Sequence, residues 1–173
     1  TLFRSNLWFD PIYTRQLQQL GVEVIYGNAY VGNLEGWIEA SEGGVSHVLV
    51  NRPHIAVNHL STLAKFPAIK KVFYGHDLHF ERLEREYSLS PSASLKQEID
   101  RYKEMEFKVW SAMDVVLYPS REEAETVKRI APNVNASFVS PYLYEGLDAY
   151  SSRQPVDNQK IIFVAGFGHP PNT

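Results

Sequence analysis

The sequence predicts an α/β fold in which helices cover both faces of a parallel sheet. Short β-type runs alternate with helical patterns along the chain, as in strand–helix–strand units. The run Val45–Val50 is almost continuously apolar, which is typical of a strand covered on both faces. In such sheets ligands bind beyond the carboxyl ends of the strands, so those ends are where we look for functional residues.

Strands are predicted where short runs of β-branched, aromatic and other apolar residues end at turn residues. Gly27 closes the second run and Gly75 the fourth. The predicted strands before residue 143 are Leu2–Asn6, Val22–Tyr26, Val45–Val50, Lys71–Tyr74, Val115–Tyr118 and Ala136–Val139.

Helices are predicted between these strands from apolar spacing and cap residues. Asp10-Pro11 supplies an N-cap and a first-turn proline, and Gly21 supplies the end of the first helix. Ser120 to Glu123 has the spacing of a capping box. The later helical stretches are 34–41, 55–63, 80–87, 93–113 and the segment from Ser120 to Ile130.

The chain is expected to contain most of one domain and the start of another. Residues 1–143 form the α/β domain, residues 144–159 read as a polar linker, and residues 160–173 read as the first strand and loop of a second domain. The sequence opens on an apolar stretch without an initiator Met and closes soon after a strand. We therefore expect a piece of a longer protein, cut at both ends.

Composition excludes several classes of protein. A formal net charge of −3 is too close to neutral to predict nucleic-acid binding. No apolar run approaches the roughly 18 residues of a membrane span, and no signal peptide is visible. The absence of cysteine excludes thiolate metal sites and cysteine nucleophiles and fits a cytoplasmic location.

The run His76-Asp77-Leu78-His79 is the sharpest candidate for chemistry, because it directly follows a predicted buried strand. An Asp beside a His can orient the imidazole or raise its pKa, which suits acid–base work or a contact to a sugar or phosphate. Structural capping of the loop and metal binding are the alternatives, although no third or fourth metal ligand lies nearby in the sequence.

Other candidates lie at the remaining strand ends. Arg52 can hold a carboxylate or phosphate, or be an exposed arginine paired with a nearby acid. Ser120 follows another strand and is a candidate substrate contact. Glu106 lies on the apolar stripe of the long helix and must be paired or neutral; it either holds a loop of the site or is a structural acceptor. Gly166 and Gly168 allow backbone amides to approach a diphosphate.

Several motifs together resemble the family 4 ("group 1") glycosyltransferases of the GT-B fold. The runs that carry the resemblance are Phe73-Tyr74-Gly75-His76-Asp77-Leu78-His79-Phe80, then Glu106 followed by Ala112-Met113-Asp114 and the strand up to Ser120-Arg121-Glu122-Glu123, and finally Ile161–Asn172. The stretch from Tyr13 to Val24 is similar to an early helix and strand of that family.

The resemblance implies a Rossmann-like acceptor-side domain, the N-terminal half of the GT-B fold, whose first strand is missing. It implies transfer of a sugar, with retention, from a nucleotide sugar to a glycan or lipid-linked acceptor, without metal or other cofactor. It places His76 near the transferred sugar, with Asp77 as a neighbouring catalytic candidate. Arg52, His79 and Ser120 are candidate substrate contacts because they lie at or just after the ends of predicted strands. Gly166 and Gly168 match the region of the donor diphosphate.

Two other functions remain open at the level of the sequence. One is a sugar-nucleotide epimerase of the same architecture, and the other is a non-catalytic carbohydrate-binding module. In the transferase interpretation this piece alone is expected to be inactive, because the donor is held mainly by the second domain. No nucleic-acid partner is expected, whereas peripheral contact with a membrane is compatible with a lipid-linked acceptor.

Overall fold

Four parallel strands flanked by helices form the centre of the fold, which confirms the predicted α/β class. The computed structural model describes residues 1–3 and 8–141, and these belong to one unit, Thr1–Pro141. The predicted linker at 144–159 and the predicted strand and loop at 160–173, with Gly166 and Gly168, lie outside the described residues.

The strands run in two sheets. The four-stranded sheet has the order β3-β4-β5-β6, and β1 and β2 form a separate parallel pair. Asn51 lies opposite Tyr74, and Tyr74 lies opposite Leu117, so β3, β4 and β5 end almost level with one another. The strands are β1 (Leu2–Phe3), β2 (Val24–Ile25), β3 (His47–Asn51), β4 (Lys70–Tyr74), β5 (Val115–Tyr118) and β6 (Ala136–Phe138).

Helices occupy the connections at the predicted places. The stretch predicted as one helix over 55–63 is divided into α3, a 3-10 turn at Val57–His59, and α4. The helices are α1 (Tyr13–Gln19), α2 (Leu34–Ala40), α3 (Pro53–Ala56), α4 (Leu60–Ala64), α5 (His79–Leu89), α6 (Ala93–Ser111) and α7 (Arg121–Ile130). None of the helices in this part of the chain is long and apolar enough to cross a bilayer.

Side-chain caps explain where two of the helices begin. The Asp10 carboxylate accepts the backbone N–H groups of Ile12 at 2.9 Å and Tyr13 at 2.8 Å, so it caps α1 as predicted. The Ser120 hydroxyl accepts the N–H of Glu123 at 3.3 Å and caps α7. Each cap satisfies donors that would otherwise lack a partner inside the helix.

The prediction that β3 is covered on both faces is wrong. Val50 is buried, but the side chain of Leu49 is 58% exposed. Within residues 1–3 and 8–141, β3 pairs only with β4 and therefore lies at an edge of the four-stranded sheet. An apolar run cannot by itself distinguish an edge strand from a central one, because strand neighbours are decided by topology.

The core beneath the carboxyl ends of the strands is aromatic. Phe73, Trp110 and Tyr118 are almost fully buried, and their rings meet edge to face. Trp110 donates from Nε1 to the Tyr118 hydroxyl at 3.1 Å, which satisfies both polar groups inside the core. Burial and the nearby charge of Glu106 raise the pKa of Tyr118, so this tyrosine stays protonated.

Gly75 lies against the face of this core. A Cβ atom on Gly75 would collide with the ring of Tyr118. We predict that Gly75→Ala lowers the free energy of unfolding by about 1–3 kcal/mol, because a buried ring or the backbone has to shift. Chemical denaturation of the purified chain measures this loss.

Gly36→Ala is the matched control. Its new methyl group would meet only the side-chain end of Asn33, which can rotate away, and alanine favours the helix α2 in which Gly36 lies. The control is expected to be neutral or stabilising. Equal destabilisation by the two substitutions would contradict the steric explanation for Gly75.

Candidate functional site

Polar side chains converge where β3 and β4 end. Arg52 follows β3, and the loop from Gly75 to Leu78 joins β4 to α5. The Arg52 N–H lies 3.4 Å from the carbonyl oxygen of Tyr74, which ties the two strand ends together. Both Arg52 and His76 are exposed, so the predicted edge presents a guanidinium and an imidazole side by side in the fold.

The backbone at these two residues is in an unusual conformation. Among the described residues, the non-glycine positions with positive φ are Glu42 (47°), Arg52 (62°) and His76 (56°). Two of the three lie at this edge of the sheet. Such conformations cost roughly 1–3 kcal/mol each and persist where the surroundings hold them. Strain concentrated at adjacent strand ends therefore marks this edge as a candidate site.

Glu106 holds the loop that carries His76. This side chain is fully buried on α6, and its two carboxylate oxygens accept the N–H groups of His79 at 3.1 Å and Phe80 at 3.2 Å. These are N–H groups of the first turn of α5, which lack partners inside their helix. Both interpretations of Glu106 thus apply together: it is a structural acceptor, and the structure that it fixes is the loop of the site.

Glu123 adds a second carboxylate at the same place. Its Oε1 atom accepts the N–H of Leu78 at 2.9 Å. Three successive N–H groups, from Leu78 to Phe80, are therefore satisfied by carboxylates from α6 and α7. The capping box predicted at Ser120 is only half formed, because Glu123 reaches across to this loop rather than back to Ser120.

Asp77 and His79 are turned toward this buried framework. Asp77 accepts from Nε of Arg82 at 2.9 Å, and its other carboxylate oxygen lies 3.4 Å from Nδ1 of His79. His79 is buried and stacks on Tyr102 with ring centroids 4.9 Å apart. The predicted substrate contact of His79 stays a prediction, and its surroundings favour a role in supporting the loop.

Ser120 lies at a different opening of the fold. Its hydroxyl donates to Glu122 at 2.7 Å while it caps α7. Ser120 lines an open groove of about 570 Å³ whose other lining residues are Glu81, Arg85, Glu122, Glu123 and Thr126. Arg52 and His76 do not line this groove. The structure thus places Arg52, His76, Asp77 and His79 at or just after the ends of β3 and β4, whereas Ser120 lines a separate groove rich in glutamates.

The imidazole of His76 is shifted toward its neutral form. Partial burial and the positive charge of Arg52 lower the pKa of His76, and they outweigh Asp77, which raises it. Asp77 does raise the pKa of His76, as the sequence predicts, but burial and the charge of Arg52 lower it by more. The resulting neutral imidazole can accept a hydrogen bond near pH 7.

No group of three or more His, Asp or Glu side chains within residues 1–3 and 8–141 is arranged to hold a metal ion. The groups at this edge are an imidazole and a guanidinium. The nearby carboxylates are already engaged: Glu106 and Glu123 accept backbone N–H groups, and Asp77 accepts from Arg82. The chemistry of this edge is that of hydrogen bonding and of attraction to anions.

Comparisons of the chain with protein-family models, with curated proteins and with solved structures found no match. The glycosyltransferase resemblance therefore stays a prediction.

Sequence reasoning missed three residues of the framework: Arg82, Tyr102 and Glu123. Glu106 was visible as an acid on an apolar stripe, whereas Glu123 had the signature of a local cap. Its actual partner lies 45 residues away in the sequence. The sequence offered one signal that Glu123 has a further partner: Glu122 and Glu123 supply two carboxylates at a helix start, where a cap needs only one.

We predict that Glu106→Ala lowers the free energy of unfolding by about 3 kcal/mol or more, because two buried N–H groups lose their acceptor. Glu106→Gln keeps one acceptor oxygen and is expected to lose less. Glu104→Gln, at an exposed position of the same helix, is the control and is expected to lie within about 0.5 kcal/mol of the parent chain. Denaturant titration measures all three, and a neutral Glu106→Ala would contradict the assignment.

We predict that the pKa of His76 lies below its usual value of 6.5 and rises in Arg52→Gln. The rise is partial, because burial, the larger cause, remains in the variant. NMR titration of the histidine ring signals measures both values. The ring signals of His47, at the amino end of β3, show whether the substitution has altered the protein as a whole. An unchanged His76 pKa in the variant would exclude the proposed influence of Arg52.

Proposed function

We propose that the chain is the acceptor-side part of a retaining GT-B glycosyltransferase of the family 4 type, acting in the cytoplasm on a nucleotide sugar. The observation that carries the proposal is the exposed His76, held in a positive-φ conformation at the carboxyl end of β4 beside Arg52. The order of the resembling motifs along the chain supports the same assignment. The lack of cysteine supports a reducing compartment.

The proposed reaction exchanges one glycosidic bond for another. The bond between the anomeric carbon and the diphosphate oxygen breaks, and a bond from that carbon to an acceptor hydroxyl oxygen forms. The hydroxyl proton leaves, and the diphosphate departs with the bonding electron pair. Rate in such a transfer comes from alignment of the two substrates and from charge stabilisation at the leaving group.

In this proposal His76 lies beside the transferred sugar and orients it. A neutral imidazole can accept a hydrogen bond from a sugar hydroxyl, and the lowered pKa of His76 favours that form. Asp77 positions the loop through Arg82 and stands next to the sugar as the second catalytic candidate. Glu106 and Glu123 keep the loop in one conformation through three backbone N–H groups. A fixed loop pre-organises the contact before substrate arrives.

The remaining contacts come from the resemblance. Gly166 and Gly168 are proposed to approach the donor diphosphate, and the acceptor is proposed to be a glycan or a lipid-linked glycan. A lipid-linked acceptor would bring the protein into peripheral contact with a membrane surface.

The test uses the gene product that contains these 173 residues, expressed at full length. Nucleotide sugars carrying different sugars and bases are supplied with glycan and lipid-linked acceptors, and transfer and anomeric configuration are read by NMR. We predict that His76→Asn lowers turnover by about a hundredfold or more. Asparagine is chosen because it tolerates positive φ better than most residues, so the loop conformation is kept.

His47→Asn is the matched control, since His47 is an exposed histidine at the opposite end of the neighbouring strand. It should leave turnover unchanged. Turnover of His76→Asn within about twofold of the parent protein would remove His76 from the mechanism. Conversion of the donor sugar without any acceptor would identify an epimerase, and donor-independent glycan binding without transfer would identify a carbohydrate-binding module.

A further inference from the structure

The edge that presents His76 gathers positive charge from several elements. Arg52 follows β3, His54 lies on α3, and His76 follows β4. The helix α3 packs against α6, which contributes Arg101. The guanidinium of Arg101 lies 5.0 Å from the ring centroid of Tyr102, the residue that stacks on His79. Cationic or protonatable groups therefore follow β3 and β4 and lie on α3 and α6, and β3 pairs with β4 while α3 packs against α6.

The pKa values of the two exposed histidines, His54 and His76, are lowered in part by neighbouring positive charges. After burial, the charges that lower the pKa of His54 are those of His79, Arg52 and Arg101. Arg52 is also the largest charge contribution to the lowered pKa of His76. The backbone places both imidazoles near Arg52, because His54 is two residues further along the chain and the Arg52 N–H lies 3.4 Å from the carbonyl oxygen of Tyr74, two residues before His76. A nearby cation disfavours the protonated form of an imidazole, and a bound anion would favour it.

The acids of the neighbourhood are already engaged. Asp77 accepts from Arg82 at 2.9 Å, and Glu98 accepts from Arg101 at 3.3 Å. Glu106 and Glu123 accept backbone N–H groups of the loop and α5. Arg52 has no carboxylate partner among the described residues, whereas Arg82 and Arg101 each have one.

The conformation of Arg52 is the feature that a purely structural role does not explain. The residue adopts a φ of 62° and a ψ of 127°, although glycine would take such a conformation at lower cost. The Arg52 N–H lies 3.4 Å from the Tyr74 carbonyl oxygen, a backbone contact that any residue other than proline could make. What only arginine supplies there is a guanidinium with paired donors that match two oxygen atoms of a phosphate.

We propose that Arg52, together with the ring N–H groups of His54 and His76, binds a phosphate group of the substrate. The inference rests on the proposed function in one respect: it assumes that the phosphate belongs to one of the two substrates of the sugar transfer. The phosphate could belong to the acceptor, as a sugar or lipid phosphate, or to the nucleotide of the donor. Both sources offer the same oxyanion, and the binding experiment separates them.

The test measures binding without turnover. The full-length gene product, labelled with ¹⁵N-histidine, is titrated separately with inorganic phosphate, glycerol 3-phosphate and uridine diphosphate. Saturable shifts of the His54 and His76 ring signals, with His47 unmoved, are the expected result. Tighter binding of glycerol 3-phosphate than of uridine diphosphate assigns the site to the acceptor, and the reverse order assigns it to the donor.

Arg52→Gly is the decisive variant. Glycine accepts the positive φ, so the melting temperature should rise while phosphate affinity falls about tenfold or more, as expected for the loss of charge-assisted hydrogen bonds. Glu42→Gly is the matched control, because Glu42 also has positive φ but lies after α2. It should raise the melting temperature and leave the affinity unchanged.

Arg52→Gln provides a second variant that keeps a side chain, and it should lose affinity by a similar factor. Absence of saturable shifts with all three probes, or an affinity unchanged in both Arg52 variants, would overturn the inference. Phosphate binding that depends on Arg52 in a protein that transfers no sugar would support the phosphate site while the proposed function fails.

Discussion

The unsatisfied N–H groups at the start of α5 are the constraint on which the candidate site depends. The helix α5 is separated from β4 by four residues, and its first residues His79 and Phe80 are buried, so little water can reach their N–H groups. Glu106 from α6 and Glu123 from α7 supply the acceptors, and so two helices distant in the sequence are fastened to one loop. The cost of burying Glu106 is offset because both of its oxygens are bonded.

The same arrangement links the site to the core. Trp110 lies one helical turn after Glu106 on α6, and it donates to the Tyr118 hydroxyl inside the aromatic cluster. Tyr118 in turn occupies the space that leaves room only for glycine at position 75. The position of the loop is therefore set from below by ring packing and from its far end by carboxylates. Neither contact uses the exposed side chains of Arg52 and His76.

The proposed function depends on this separation between buried groups that fix the backbone and exposed groups that can contact a ligand. Buried groups hold the backbone, and exposed groups at the strand ends are left to meet a ligand. Such a separation allows strained conformations at Arg52 and His76 to persist, since the surroundings rather than local preference decide them. His76 on this loop offers an imidazole, and Arg52 after β3 offers a guanidinium that has no ion-pair partner among the described residues. Such a pair suits a substrate that carries both hydroxyl groups and a phosphate.

Most elements and their order could be predicted from the sequence. The α/β class, the capped starts of α1 and α7, and the bounds of β5 follow from local patterns that need few distant contacts. Three other features became visible in the folded chain alone: among the described residues β3 is an edge strand, Glu123 bonds to Leu78 rather than completing its own cap, and Arg52 outweighs Asp77 in its effect on the pKa of His76. These three features depend on which elements become neighbours in space. A local pattern of residues predicts neither the order of strands in a sheet nor the charges that surround a side chain in the folded protein.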